Sequence, residues 1–274
     1  MAMTARQRRT VSRWIQVLIF VVAILLLVFL VNWPLVADSF FQFDKTLPMF
    51  PDIILVGLRN TLLYTITSFI FGLALGLVLA LMKTASFPPY RWVATIYIEF
   101  FRGIPALLVL LALGYGLPLA FSGLKWDFWV TVMVALGLVS AAYMAETLRA
   151  GLQAVPKGQM EAARSLGMPQ WRAMISIIIP QAFRIVLPPL TNELILLTKD
   201  TSLVQVLGMT ALVVDLTKMG RDGMLSLGGG MTPLLVAGLF YLCITIPLAF
   251  LARWFEKRAA QVSRPKRQKK EGAA

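Results

Sequence analysis

Histidine is absent from these 274 residues, cysteine occurs once, at Cys243, and only 13 residues are acidic. Each shortage closes off a kind of chemistry. With no imidazole and one thiol, neither a Cys/His metal site nor an internal disulfide can be assembled. No nucleophile, base and orienting group stand in a recognisable arrangement, which sets a membrane-embedded enzyme aside and leaves no catalytic residue to name. No Gly-Lys dipeptide occurs either, so the phosphate loop Gly-x-x-x-x-Gly-Lys-Ser/Thr is missing. Charge is scarce overall: 14% of residues are charged against 58% hydrophobic, a membrane composition rather than that of a soluble core.

Windows of about 19 residues, the length needed to cross a bilayer, predict an all-α polytopic protein. The candidate spans lie near 14–32, 55–82, 92–120, 128–150, 183–207 and 232–254. Six spans put both termini on one side. The formal charge of +13 does not point to nucleic acid, because no basic face interleaved with aromatics accompanies it. The basic residues sort by loop instead. Arg6, Arg8, Arg9, Arg13, Lys83, Arg91, Arg149, Lys157, Arg164, Arg172 and Arg184 fall on one side, with eight more from Arg253 to Lys270. Lys45, Arg59, Lys125, Lys218 and Arg221 fall on the other. By the positive-inside rule the termini and the loop around Glu161 are expected in the cytoplasm.

The chain divides into three parts. Residues 1–54 hold a basic start, an extra span and an external linker carrying Asp38, Asp44, Pro48 and Pro51; residues 55–255 form the membrane domain; residues 256–274 form a basic tail suited to anionic lipid. The first span could also be a signal peptide with Leu35-Val36-Ala37 as its cleavage site. A retained anchor is favoured, since the apolar run Ile15–Val31 exceeds the usual core of about 7–15 residues.

Between the fourth and fifth spans, residues 152–182 read as a polar helix-turn-helix. Pro156-Lys157-Gly158-Gln159 opens it, good helix formers run from Met160 to Leu166, and Gly167 supplies the left-handed stop. Pro169 suits the start of a second helix with Trp171, Met174 and Ile175 on one side. Ala162, Ala163, Leu166 and Met168 would form a small apolar knob rimmed by Glu161 and Arg164. Either a groove on another protein or the lipid surface could receive it.

The fifth span is too polar to face lipid on all sides. Asn192 and Lys199, and Glu193 and Asp200, recur after seven residues and mark one stripe. Single charges at mid-membrane cost about 2.5–3.5 kcal/mol each, so the stripe and the Thr201-Ser202 beyond it serve either a buried ion-pair network or a translocation path. Glu99 and Arg102, spaced i, i+3, can pair with each other, or Arg102 can present its planar fork to a carboxylate. Glu146, one turn before Arg149, suits a structural pair. Pro188-Pro189 is expected to bend or interrupt its helix.

Glu161-Ala162-Ala163, Gly167 and Ile177-x-Ile179-Pro180 together resemble the EAA loop of permease subunits of ATP-binding-cassette importers, with Ile179 where that pattern has Leu. Tyr143–Gly151, Val155–Gln159, Leu187–Glu193, Lys199–Leu203 and Phe101–Pro105 are similar to the polar amino-acid uptake branch, over about residues 55–254. The resemblance implies a five-helix type I importer core and a permease for a polar amino acid in a bacterial inner membrane. It implies coupling to an ATPase through Glu161, Ala162, Ala163, Gly167, Ile177 and Pro180. The expected partners are two ATPase subunits carrying ATP and magnesium, a second permease subunit (the same or a related chain), an external solute-binding protein and the bilayer. No cofactor is expected on this chain itself. The rival reading is an ion-coupled secondary carrier using the Glu193/Asp200 stripe as its ion site.

Overall fold

A computed structural model describes residues 5–121 and 126–263, and all the regular structure in them is helical. Lys125 and the tail beyond Ser263 lie outside the described residues. The principal helices are α1 (Ala5–Leu30), α2 (Trp33–Phe40), α3 (Arg59–Thr84), α4 (Pro88–Gly103), α5 (Ala106–Leu111) and α6 (Phe128–Ala154) in the first part of the chain. They are followed by α7 (Lys157–Ser165), α8 (Ile179–Asp200), α9 (Leu216–Ser226) and α10 (Thr232–Ser263). Among the described residues five runs are long and apolar enough to cross a membrane, and a sixth qualifies only as a bent pair. The apolar stretch Val11–Leu30 of α1 is wholly exposed, as a helix surrounded by lipid or by another chain would be.

The most extensive packing joins α3 to α6, and glycine makes it close. A Cβ on Gly72 would fall 2.3 Å from Ser140 Oγ, and one on Gly76 3.0 Å from the carbonyl oxygen of Ala141. Gly72 and Gly76 form a small-xxx-small stripe that lets two backbones approach where lipid offers no hydrophobic drive to associate and van der Waals contact must do the holding. Gly151 does the same between α6 and α8, since a Cβ there would collide with Val186. Tyr64, Leu110, Val132, Leu136 and Val204 fill the centre.

Three expectations change. The span at 92–120 is broken: α4 and the run Ala106–Ala120 meet at 103°. Ile104 (ψ 137°) and Pro105 (ψ 135°) are extended, because the residue before a proline is driven out of the helical region. Second, α8 continues through Pro188 and Pro189. The prolines remove the N–H groups that would bond the carbonyls of Arg184 and Ile185, yet Val186, Pro188 and Leu190 are buried and hold the helix in register. The irregular stretch is the π-helical turn Met174–Ile178, placed where the ring of Pro180 would otherwise strike the carbonyl four residues back. Third, the segment 33–52 is an ordered cap. Met231 N–H donates to Ser39 O (2.6 Å) and Gln42 N–H to Thr232 Oγ1 (3.0 Å), and Thr46, Met49 and Ile53 are buried. The packed core therefore begins before Val56.

Candidate functional site

The first candidate site is the hairpin. α7 ends in a Schellman turn: Met168 N–H donates to Ala163 O (3.1 Å), Gly167 N–H donates to Arg164 O (3.0 Å), and Gly167 adopts φ +80°. The chain reverses into Gln170–Ala173 and passes through the π turn into α8. Glu161, Ala162, Gly167 and Pro180 are exposed, and Leu166, 88% exposed, stands at the tip. Ala163 departs from the expected knob: it is 4% exposed and turned away from solvent. Ile177 is half-buried with Val155, Ile178 and Ala182. Sequence order alone could not sort the two alanines, because the face of a short helix is set by where the hairpin folds back. Trp171 and Ile175 are exposed while Ala173 is buried, so the outer surface of the second limb is apolar and bulky.

The second site is a half-open cavity of about 480 Å³ between α8, α6 and the break after α4. Glu193, Leu196, Leu197 and Asp200 line it from α8, at the i, i+3, i+4, i+7 spacing of one helix face. Val139, Ser140 and Tyr143 line it from α6, and Arg102 enters from the break at Gly103-Ile104-Pro105. The Arg102 guanidinium lies 5.6 Å from the centre of the Tyr143 ring, within cation–π range. The cavity thus offers two carboxylates and one guanidinium. A zwitterion needs charges of both signs, and the arginine fork matches a carboxylate in two parallel bonds.

The other stripe residues divide. Asn192 and Lys199 are exposed on the adjoining face of α8 and do not line the cavity. Thr201 is fully buried and donates to Thr198 O (2.7 Å), with Tyr241 Oη 3.5 Å away. Tyr241 also bonds Thr217 Oγ1 (3.0 Å) and donates to Asp215 Oδ2 (3.2 Å), whose carboxylate caps α9 by accepting from Thr217 and Lys218 N–H. Thr201 belongs to this buried network, and Ser202 beside it is half-buried. Burial raises the pKa of the Asp215 carboxyl above its ordinary value of 3.8, although the N–H groups it caps pull the other way.

Glu99 and Arg102 make no ion pair with each other; the break after Gly103 turns Arg102 toward the cavity. Glu146 does pair with Arg149 (2.7 Å), and it also takes Lys83 of α3 (2.5 Å). Lys83 was missed as a partner because it reads as a topological marker at a helix end. Tyr143 was missed as a cavity residue. Its one signal was its position three residues before Glu146 on an apolar helix.

Membrane-length helices around a cavity with charges of both signs define a membrane transport protein. The chain belongs to the family described as binding-protein-dependent transport system inner membrane component, which matches residues 72–261. It is 39% identical over 217 residues to the arginine transport system permease protein ArtQ of Bacillus subtilis, covering 79% of this chain and 96% of that one. It is 36% identical over 227 residues to the glutamate/aspartate import permease protein GltK of Escherichia coli, covering 80% and 99%. Among solved structures, one described as an amino acid ABC transporter with histidines matches with a TM-score of 0.70 at 36% identity, over 79% of this chain and 98% of that one. The protein is a multi-pass membrane component of a transport system, and α1 precedes the matched region.

Proposed function

We propose that this chain is the permease subunit of an ATP-driven importer that carries a polar amino acid across a bacterial cytoplasmic membrane. The observation that carries the reading is the cavity bearing Arg102, Glu193 and Asp200. The relatives named for arginine and for glutamate/aspartate support an amino-acid cargo of this polarity. Arg102 receives the cargo's carboxylate, and Glu193 and Asp200 receive its ammonium. Asn192, Lys199 and Ser202 border the path without lining it.

The hairpin is the docking point for a separate ATPase chain, which supplies ATP and magnesium. Glu161 and Ala162, with Leu166 at the tip, enter a groove of that chain. Gly167 makes the reversal, and Ala163, Ile177 and Pro180 set the hairpin on α8. The assembly is completed by a second permease subunit, the same or a related chain, and an external solute-binding protein. The hairpin and both termini face the cytoplasm, as the distribution of basic loops supports.

The test is uptake of a panel of labelled amino acids by cells expressing the system, with the ATPase present or deleted and the ion gradient intact or collapsed. Uptake should require the ATPase and survive loss of the gradient, and Arg102→Gln should raise KM for the cargo. Uptake that persists without the ATPase and fails with the gradient would establish the ion-coupled carrier instead. Family membership favours the importer.

A further inference from the structure

At the hairpin end of the bundle, α8 and α10 part to leave a groove of about 610 Å³. Phe183, Arg184 and Leu187 line it from α8, and Trp254, Phe255 and Arg258 from α10. It is distinct from the charged cavity. Arg184 precedes Glu193 by nine residues, which at 100° per residue places it half a turn around the helix. The groove therefore faces outward from the bundle.

Its chemistry is specific. Both arginines are exposed and neither forms an ion pair among the described residues. The Arg258 guanidinium stacks 3.8 Å from the Trp254 ring centre, which fixes its plane and leaves its donor edge free. Among the described residues no carboxylate lines the groove. Glu256 lies two residues from both Trp254 and Arg258, about 200° around the helix, and is exposed away from them. The walls between the arginines are aromatic and aliphatic.

Position narrows the occupant further. The apolar run of α10 gives way to Arg253, Glu256, Lys257 and Arg258, and Arg184 follows Pro180 by one turn of α8. The groove thus straddles the end of the hydrocarbon layer, where headgroups sit and where Trp and Arg side chains anchor. Two guanidiniums above an apolar floor match a phosphodiester with an acyl chain attached.

We propose that this groove is a binding site for an anionic phospholipid, with the phosphate held between Arg184 and Arg258 and one acyl chain lying along Phe183, Leu187 and Phe255. A zwitterionic headgroup is disfavoured because its own cation would meet the two arginines.

The test is native mass spectrometry of the full-length chain, in the assembly it forms, in neutral detergent titrated with phosphatidylglycerol or phosphatidylcholine. Phosphatidylglycerol should bind saturably, one per permease chain, and ahead of phosphatidylcholine. The double variant Arg184→Gln/Arg258→Gln should weaken that binding about thirtyfold, the equivalent of two arginine–headgroup attractions. Leu187→Trp should also weaken it, by filling the floor with the charges intact. Arg91→Gln, an exposed arginine on α4, should leave it unchanged. Monodisperse elution and unchanged melting of each variant separate loss of lipid from loss of fold. Wild-type binding by the double variant and by Leu187→Trp, equal loss in Arg91→Gln, or equal affinity for the two lipids overturns the proposal. So does disulfide cross-linking between two permease chains carrying Leu187→Cys, which would make the groove a protein interface.

Discussion

Substitution at Gly167 separates strain within this chain from contact with a partner. Its φ is +80°, and a Cβ built there meets nothing within 4 Å, so the cost inside the chain is backbone strain alone. Placing a Cβ in the left-handed region costs about 1–2 kcal/mol, and less for asparagine, whose side chain bonds locally. Gly167→Ala should therefore open the Schellman turn roughly five- to thirtyfold more often, at about 1.4 kcal/mol per factor of ten. Gly167→Asn should lie between the two. Hydrogen exchange of the peptide spanning residues 157–170 measures this directly, because the Gly167 and Met168 amides are the ones bonded to Arg164 and Ala163. Uptake should fall in the same order, Gly, Asn, Ala. Identical exchange in all three would refute the strain argument. Unchanged exchange with lost uptake would move the role of Gly167 from shaping the turn to touching the partner.

Gly72→Val and Gly76→Val should each lower stability in detergent by about 1–3 kcal/mol through overpacking, whereas Gly103→Ala, which meets nothing within 4 Å, should be neutral by thermal unfolding. Glu146→Gln strips the partner from both Lys83 and Arg149 and should cost about 1–3 kcal/mol, part of it recovered when Lys83→Met is added; equal melting of all three proteins would refute the pairing. Asp215 holds its proton more tightly folded than unfolded. Its native state therefore binds more protons between pH 3.8 and the raised value, and stability should rise as pH falls through that window. Asp215→Asn keeps the α9 cap and should flatten this part of the pH profile of melting, while Asp215→Ala should cost about 1 kcal/mol for the lost cap.

Span positions were legible because a 20-residue apolar run has few uses outside a bilayer, and the hairpin because Pro156, Gly167 and Pro169 punctuate it. The cavity was legible only in part. Glu193 and Asp200 could be placed on one face from their seven-residue spacing. That same spacing also promoted Asn192 and Lys199, which the neighbouring helices leave outside. The turn that delivers Arg102 was written in Gly103-Ile104-Pro105, but hydropathy averages over the three residues and reports one continuous span. Thr201 was misplaced for a different reason. Its partners Tyr241 and Asp215 come from distant segments, and no local pattern announces a tertiary hydrogen-bond network. The stripe of Gly72 and Gly76 was overlooked because, in a chain this apolar, small residues lower neither hydropathy nor helix periodicity enough to stand out.

The hairpin and the cavity are joined by one piece of secondary structure. The second limb of the hairpin, the π turn, α8 and the short helical stretch after it form a single run, Gln170–Leu207. Glu193 lies thirteen residues beyond Pro180, about 20 Å along the axis at 1.5 Å per residue. A helix of this length carries displacement with little loss unless its hydrogen-bond ladder is interrupted, and the ladder departs from regularity at the Met174–Ile178 turn and at Pro188-Pro189. Both irregularities fall between the hairpin tip and the charged residues. Beyond Asp200, Thr201 ties the far end to α10 through Tyr241, and Gly151 locks the near end against α6. Motion imposed at the hairpin therefore reaches Glu193 and Asp200 through one continuous run that is weakened at two places, with an anchor on either side of the cavity against which those carboxylates can move relative to Arg102.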